Sequence, residues 1–320
     1  MSAVAATARL PVFMLAGPTG AGKSDWASRL AEVAPIEIVS VDSALVYRGL
    51  DVGSAKPSSA LRARIPHHLI DICDAADSYS AGRFVTDALA AIRSIHARGR
   101  VPLLAGGTML YFRALLHGLA PLPEASPLVR REIDERAARE GWAALHAELA
   151  LRDPPAAARI NSTDAQRIQR ALEVCYATGR PISELQLRTV SPLADLQVCA
   201  WALVPSDRAV LHRHLEIRFL AMMKQGFLEE VRSLHRRGDL HARTPSMRAV
   251  GYRQLWAHVV GDYTLEEAIS RGISATRQLA KRQLTWLRGE PAFVRLDPQQ
   301  SHIQASWIGD ARRSLRELGL

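Results

Sequence analysis

Four short apolar runs stand out in the pattern of hydrophobic and polar positions along the chain. The segments that follow the early runs repeat their apolar residues at helical spacing. Continuous apolar runs are typical of strands covered on both faces, and strands that alternate with helices indicate an open parallel α/β sheet. We therefore predict strands at "LPVFMLA" (10–16), "IEIVSV" (36–41), "VPLLAGG" (101–107) and "QVCAWALV" (197–204).

Helix start and stop signals lie between and after these runs. "SYSAGRFVTDALAAIRSIHARG" (78–99) predicts a helix that Ser78 or Ser80 caps and Gly99 ends. Its apolar residues recur on one face, which would pack against the sheet. The last long helix is predicted to start at "TLEE" (264–267), a capping-box pattern, and to run to about residue 289.

The composition changes at "APLPEASP" (120–127), where three prolines indicate a domain boundary. Residues 128 to about 188 show helical patterns alone, and a strand pattern returns only afterwards. We therefore predict an α/β core over 8–122, a helical insertion over 123–196, and a second, mostly helical part of the core over 197–315.

The chain is strongly basic: its 320 residues carry a net charge of +9 and give a pI of about 10. Such an excess suits a protein that meets a nucleic-acid backbone, whereas a generically basic surface is the alternative. The three cysteines lie far apart, so neither a zinc site nor a disulfide framework is indicated. No apolar run is long enough to span a membrane, and we expect a monomeric cytoplasmic protein.

The clearest chemical signal is "AGPTGAGKS" (16–24), which fits the spacing G-x-x-x-x-G-K-[ST] between a predicted strand and a predicted helix. Backbone N–H groups of such a loop surround phosphate oxygens, the lysine adds a positive charge, and the hydroxyl of Ser24 reaches Mg²⁺. The motif predicts a phosphate ligand without deciding between ATP and another phosphate compound.

Further polar residues follow the other strands. Asp42 comes directly after the second strand, where open α/β sheets place their ligands, and it suits Mg²⁺ binding or proton transfer. A turn that merely caps the strand end is the alternative. "GGTMLYF" (106–112) is a second glycine-rich turn, which would place Thr108 at a helix N-terminus. Adjacent His67 and His68 point in opposite directions on an extended chain, which disfavours a shared metal and favours a structural role or a place in the substrate wall.

Several helical segments combine arginine with other polar side chains in a way that suits RNA. In "TDAQRIQRALEV" (163–174), Gln166, Arg170 and Glu173 share one face, and Arg218 lies among apolar neighbours in "HLEIRFLAMMKQG" (214–226). "SMRAVGYRQLW" (246–256) and the basic residues of "TRQLAKRQLTWLRG" (276–289) extend the pattern. Solvated charged faces remain the alternative for each.

Together these segments resemble one family, the tRNA dimethylallyltransferases, also called tRNA isopentenyltransferases. The shared motifs occur in the family's order and span about residues 12 to 289: "GPTGAGKS", "DSALVYRGLDVGSAKP", "PHHLID", "YSAGRF", "GGTMLYF", "RALEV", "VGYRQ" and "AKRQLTWLRG". The resemblance implies a P-loop NTPase-like parallel sheet core with an inserted all-helical domain that grips the tRNA anticodon stem-loop. It also implies transfer of a dimethylallyl group from its diphosphate to N6 of the adenosine that follows the anticodon, with Mg²⁺.

Roles for individual residues follow from the same resemblance. Asp42 is implied as general base, Thr108 as lining the channel between the substrates, and Ser24 and Asp42 as metal ligands. Diphosphate binding is implied for Gly17, Pro18, Thr19, Gly20, Ala21, Gly22, Lys23, Ser24 and Arg218. Contact with tRNA is implied for Asp42, Ser43, Ala44, Leu45, Thr108, Arg130, Gln166, Arg167, Ile168, Gln169, Arg170, Met247, Arg248, Ala249, Val250, Gly251, Tyr252 and Lys281.

This chain departs from the pattern at Leu45, where many members have Gln and thus a hydrogen-bonding side chain. Two other functions share the phosphate loop. A P-loop kinase of small molecules would not account for the charge of +9. An RNA-dependent ATPase needs a group that positions water, and no candidate residue stands out.

Overall fold

The computed structural model describes residues 9–123, 126–186 and 189–318. The start of the predicted core at residue 8 and parts of the predicted boundary at 120–127 lie outside these ranges. Six strands form one all-parallel sheet in the order β3-β2-β4-β1-β5-β6. Their bounds are β1 Pro11–Ala16, β2 Ile36–Val41, β3 His67–His68, β4 Val101–Gly106, β5 Gln197–Leu203 and β6 Val294–Leu296.

The chain divides into two compact units, one of residues 1–114 and 193–320 and one of residues 115–192. The second unit begins earlier and ends earlier than the predicted insertion over 123–196. The helices of the first unit surround the sheet: α1 Lys23–Val33, α2 Ser59–Arg64, α3 Ala81–Ala97, α4 Met109–His117 (which runs on into the second unit), α10 Arg208–Lys224, α11 Phe227–Arg236, α12 Tyr252–Val259, α13 Leu265–Gly289 and α14 Ile303–Glu317.

The second unit is built from helices, and strands are absent from its described residues. Ile133, Leu145 and Leu172 are fully buried members of its own apolar core. The short helix that begins at Pro154 is capped by Asp153, because the Asp153 carboxylate accepts from Ala156 N at 3.0 Å. The helices are α5 Pro127–Glu140, α6 Trp142–Arg152, α7 Pro154–Arg159, α8 Ala165–Thr178 and α9 Ile182–Leu185.

The predicted α/β class is confirmed, and so are the four strands that were read from apolar runs. Ser80, rather than Ser78, caps α3 by accepting from Arg83 N, and Thr264 caps α13 by accepting from Glu267 N. The patterns missed β3, β6 and α14. The first two are very short and partly exposed, and α14 starts at His302 without a side-chain cap.

Aromatic rings anchor α14 to the core. The ring centroids of Trp26 on α1 and Trp307 on α14 lie 5.3 Å apart, and those of Trp201 on β5 and Trp307 lie 5.9 Å apart. Trp307 is 1% exposed. The last helix therefore covers one face of the sheet. Across the described residues, none of the helices is both long and apolar enough to cross a membrane.

Candidate functional site

Three loops meet at one edge of the sheet because the strands that precede them are parallel neighbours. Ala16 at the end of β1 and Val41 at the end of β2 both align with Gly106 at the end of β4. The backbone N–H groups of Gly107 and Thr108 donate to Val41 O at 3.2 and 3.1 Å. The phosphate loop, the segment after Val41 and the turn before α4 are thus brought together, as the sequence predicts.

The phosphate loop leads directly into α1. Gly22 stands before this helix with φ 87°, a conformation that favours glycine, and no side chain caps the helix. The N–H groups of the first turn are therefore left to a ligand, and the positive end of the helix dipole favours an anion there. Lys23 Nζ donates to Pro18 O at 2.8 Å, which folds the loop around its own lysine.

Two cations and one carboxylate face each other beside this loop. The pKa of Lys23 is lowered to about 8, chiefly by burial; the charge of Asp42 opposes this shift and the positive charge of Arg218 adds to it. Burial also lowers the pKa of Arg218. Two partly desolvated positive groups are costly to hold together unless an anion joins them. The local charge therefore suits a phosphate ligand.

Asp42 stabilises the turn after β2 and also lines the cavity. One carboxylate oxygen, Oδ1, accepts from Ala44 N at 2.8 Å and from Leu45 N at 3.4 Å, so Asp42 does cap the strand end. The same residue lines the cavity described below. Thr108 stands before α4, and its Oγ1 accepts from Ser43 N at 3.0 Å. This bond joins the segment after β2 to the turn after β4.

A cavity of about 600 Å³ opens at this edge of the sheet, and all of its lining comes from the first unit. One wall is polar and carries the chemistry predicted from the sequence, with Lys23, Ser24, Asp42, Thr108 and Arg218. The other wall is apolar and comes chiefly from α10, α11 and α13: Leu215, Phe219, Met222, Phe227, Leu279 and Trp286. The cavity can hold an anionic group and an apolar group at once.

The donor groups in this cavity fit a hard cation that a phosphate helps to hold. Among the described residues, no group of three or more His, Cys, Asp and Glu side chains is placed to bind a metal by itself. Ser24 and Asp42 supply a hydroxyl and a carboxylate. Mg²⁺ is commonly bound by one or two such groups together with water and substrate phosphates, so these residues fit Mg²⁺.

Glu230 contributes to the site although no sequence pattern indicates it. Its carboxylate accepts from the backbone N–H groups of Asp51, Val52 and Gly53 at 2.9, 2.6 and 3.1 Å. Tyr252 Oη donates to the same carboxylate at 2.6 Å. The loop that follows Asp51 lines the cavity, so Glu230 fixes one of its walls.

The predicted RNA-contacting segment 247–252 divides into buried and accessible residues. Met247, Gly251 and Tyr252 are buried, and the Tyr252 hydroxyl is already bound. Tyr252 also lines the cavity, and contact of this segment with RNA stays a prediction. Arg248 is exposed and lines the cavity together with half-buried Ala249 and Val250. Lys281 is exposed on α13.

The predicted RNA-contacting residues of α8, in the second unit, also divide into buried and exposed ones. Ile168 is fully buried, because it lies on the apolar face of α8. Arg130 and Arg170 both bind the carboxylate of fully buried Glu173, at 3.2 and 2.8 Å, so they neutralise a buried charge. Gln169 donates to Asp134 at 2.8 Å. Gln166 and Arg167 are the exposed residues of the predicted segment.

Of the structural and substrate-wall roles predicted for the two adjacent histidines, the structure supports the structural one. They form strand β3, which pairs with Ile38 and Val39 of β2. His68 Nε2 lies 2.7 Å from Oε2 of buried Glu37. Neither histidine lines the cavity.

Comparison with known proteins places these features in a family. The family model described as IPP transferase matches residues 45–290. A protein named tRNA dimethylallyltransferase from Alkalilimnicola ehrlichii is 57% identical over 292 residues, which cover 91% of this chain and 92% of that protein. One of the same name from Methylococcus capsulatus is 58% identical over 280 residues, which cover 88% of this chain and 90% of that protein.

Solved structures are similar over almost the whole chain. The tRNA isopentenylpyrophosphate transferase of Bacillus halodurans has a TM-score of 0.70 and 33% identity, and the match covers 96% of this chain and 97% of that one. A eukaryotic dimethylallyltransferase, described as acting on tRNA, has a TM-score of 0.75 and 26% identity. That match covers 93% of this chain and 77% of the eukaryotic one.

Proposed function

The chain belongs to the IPP transferase family, and from this membership we propose that it acts as a tRNA dimethylallyltransferase. In this reaction a dimethylallyl group passes from dimethylallyl diphosphate to N6 of the adenosine on the 3′ side of the anticodon. Diphosphate is released. The observation that carries the proposal is a single cavity that holds a phosphate loop, an adjacent carboxylate and an apolar wall.

The phosphate loop and its cations would bind the donor and stabilise the leaving group. Negative charge grows on diphosphate as the bond between C1 of the dimethylallyl group and oxygen breaks. Lys23, Arg218 and the N–H groups at the start of α1 would stabilise that charge. Ser24 and Asp42 would hold Mg²⁺, which supplies further charge neutralisation to the diphosphate when bound.

Asp42 would act on the acceptor. The N6 amine of adenine is a weak nucleophile, because its lone pair is delocalised into the ring. As N6 bonds to C1, a proton leaves N6, and the Asp42 carboxylate is the acidic side chain on the cavity wall that can accept it. Thr108, which is bound to Ser43 beside Asp42, would face the path between donor and acceptor.

The apolar wall would serve the dimethylallyl group. As the bond to diphosphate breaks, the dimethylallyl group gains the character of an allyl cation, which reacts readily with water. The reaction therefore requires a cavity from which water is displaced. Phe219 and Phe227 pack against each other with ring centroids 6.0 Å apart and offer such a surface. The adenine must leave its stack in the RNA to reach the cavity, as base-modifying enzymes generally require.

We propose that tRNA is bound largely by charge. The net charge of +9 and the exposed basic residues Arg167, Arg248 and Lys281 support this assignment. We also propose that the protein acts as a monomer. We also propose that it acts in the cytoplasm, on cytoplasmic tRNA.

The test uses the purified full-length chain, Mg²⁺, tRNA and dimethylallyl diphosphate labelled in the dimethylallyl group. We expect label in RNA at adenosine N6 and one diphosphate released for each group transferred. ATP in place of the donor should not be hydrolysed at a rate that tRNA stimulates. Stimulated ATP hydrolysis without labelled RNA would instead indicate an RNA-dependent ATPase.

A further inference from the structure

A glutamine in α13 connects two of the loops that form the cavity. Gln283 lies on α13 and is 7% exposed. Its Oε1 accepts from Thr19 N in the phosphate loop at 2.9 Å. Its Nε2 donates to Gly107 O, in the turn before α4, at 2.7 Å. One side chain thus connects segments that follow β1 and β4.

The chemistry of the contact accounts for a glutamine here. A primary amide carries an acceptor and a donor on one short arm, and the two partners require one of each. The orientation of the amide is set by those partners. A flipped amide would place its N–H groups against Thr19 N–H and its oxygen against Gly107 O. Burial keeps water from replacing either bond. At Gly107 a side chain is excluded, because its Cβ would lie 2.5 Å from Gln283 Nε2.

The two loops belong to opposite sides of the proposed reaction. Thr19 lies in the loop assigned to the donor diphosphate, and its Oγ1 accepts from Arg218 at 3.4 Å. Gly107 precedes Thr108, whose hydroxyl is bound to Ser43 beside Asp42 on the acceptor side. If the two loops hold donor and acceptor as proposed, the distance between the loops would set the distance between the reacting carbon and N6.

We propose that Gln283 is a positioning residue that fixes the separation of donor and acceptor during dimethylallyl transfer. The inference rests on the proposed function. Gln283 acts through Thr19 and Gly107 and is not itself assigned to a reacting atom. A misplacement of about 1 Å between reactants can slow a reaction about 10²-fold. Loss of the two Gln283 hydrogen bonds should therefore lower the rate of the chemical step.

Two variants test the proposal in the full chain. Gln283→Met keeps the length and volume of the side chain and removes both hydrogen bonds. Gln283→Asn keeps the amide but shortens the arm, so that it can reach one loop and not both. The control is His96→Leu, which removes the bond between His96 Nε2 and Pro11 O (2.9 Å) at the opposite edge of the sheet.

The measurements are the melting temperature, KM for each substrate, and the single-turnover rate with both substrates saturating. For both Gln283 variants we expect the rate to fall roughly 10²-fold while each KM stays within about threefold of wild type. His96→Leu should lower the melting temperature and leave the single-turnover rate of the folded protein unchanged.

Each alternative outcome is decisive. Wild-type single-turnover rates in both variants, even with lowered melting temperatures, would overturn the proposal, because Gln283 would then be structural only. A loss confined to KM for the donor would also overturn it and make Gln283 part of the donor site. If the wild-type chain itself transfers no label, the proposed function fails, which is a different result from either of these.

Discussion

The ammonium group of Lys23 makes the reaction sensitive to pH. Burial and Arg218 lower its pKa from the ordinary 10.5 to about 8, so the free enzyme loses this charge as the pH rises through about 8. Between about 8 and 10.5 the unfolded chain keeps a proton that the folded chain has lost. The contribution of Lys23 to stability is therefore unfavourable below about 8 and is relieved at higher pH.

We therefore expect kcat/KM for dimethylallyl diphosphate to fall as the pH rises above about 8, because a neutral Lys23 binds diphosphate poorly. Bound diphosphate favours the charged lysine, so kcat should hold to higher pH than kcat/KM. Steady-state kinetics across this range measure both. Lys23→Arg, which stays charged, should lose the inflection at whatever activity it retains; a wild-type kcat/KM that stays flat well above pH 8 would exclude this role.

Asp42→Asn should separate catalysis from binding. The amide oxygen can still accept from Ala44 N, so the turn after β2 should persist, but the group can no longer take a proton. We expect the single-turnover rate of transfer to fall about 10²- to 10⁴-fold with tRNA affinity largely kept. Rapid-quench kinetics and a filter-binding assay measure the two. A rate within a few-fold of wild type would refute Asp42 as the base.

At this scale the sequence predicts the residues that lie in short motifs. Asp42 could be placed because it directly follows a recognisable strand, and Lys23 and Ser24 because they end the phosphate-loop motif that begins after another strand. Gln283 could not, because its partner Thr19 lies 264 positions away and no local pattern records that contact. Glu230 is similar, since it meets Val52 across 178 positions. Long-range hydrogen bonds of this kind appear only once the fold is known.

At the scale of elements, the loop after Asp51 is held to α11 by one carboxylate and one close contact. Glu230 satisfies three backbone N–H groups of this loop. Gly53 lies directly over Phe227, and a Cβ there would come within 1.9 Å of the ring. The loop can therefore rest on α11 only with glycine at this position.

Glu230→Gln should loosen that loop, because an amide brings N–H groups towards backbone N–H groups that need an acceptor. We expect a loss of roughly 1–3 kcal/mol in the free energy of unfolding, and faster amide hydrogen exchange at residues 51–53. Glu229→Gln is the matched control on the same helix. The Glu229 side chain is 64% exposed, so its loss should change stability by less than about 0.5 kcal/mol. Equal effects of the two variants would argue against Glu230 as the residue that holds this loop to α11.

Elements were predictable where their signals are local. Continuous apolar runs predicted β1, β2, β4 and β5, whereas β3 has two residues and takes its pairing from Ile38 and Val39 rather than from its own composition. On α8, the spacing of the polar residues correctly groups them on one face, but it cannot tell that Arg170 is paired with the buried carboxylate of Glu173 rather than fully solvated. Tertiary partners decide that difference.

For the whole molecule, the basic charge should appear as a steep dependence of tRNA affinity on salt. Two exposed arginines test where the phosphates bind. Arg167 and Arg313 have side chains 71% and 68% exposed, and each pairs with an aspartate three positions earlier. Arg167 lies in the predicted RNA-contacting segment, whereas Arg313 lies on α14, outside every predicted contact.

Arg167→Gln should weaken binding of a tRNA anticodon stem-loop and reduce the slope of log affinity against log salt by about 0.7–0.9. Arg313→Gln removes the same charge and should leave the slope unchanged. A titration of each variant at several salt concentrations measures this. If both variants lower the slope equally, net charge rather than a local contact governs binding.

The order of strands in the sheet also has a consequence for how the protein is made. β1 pairs with β4 on one side and with β5 on the other, yet residues 115–192 are synthesised between those two partners. At about 5–20 residues per second, the ribosome leaves one side of β1 unpaired for several seconds. A buried apolar strand with an open edge is a site for aggregation. We therefore expect the nascent chain to need protection by chaperones until Gln197–Leu203 has emerged and paired with β1.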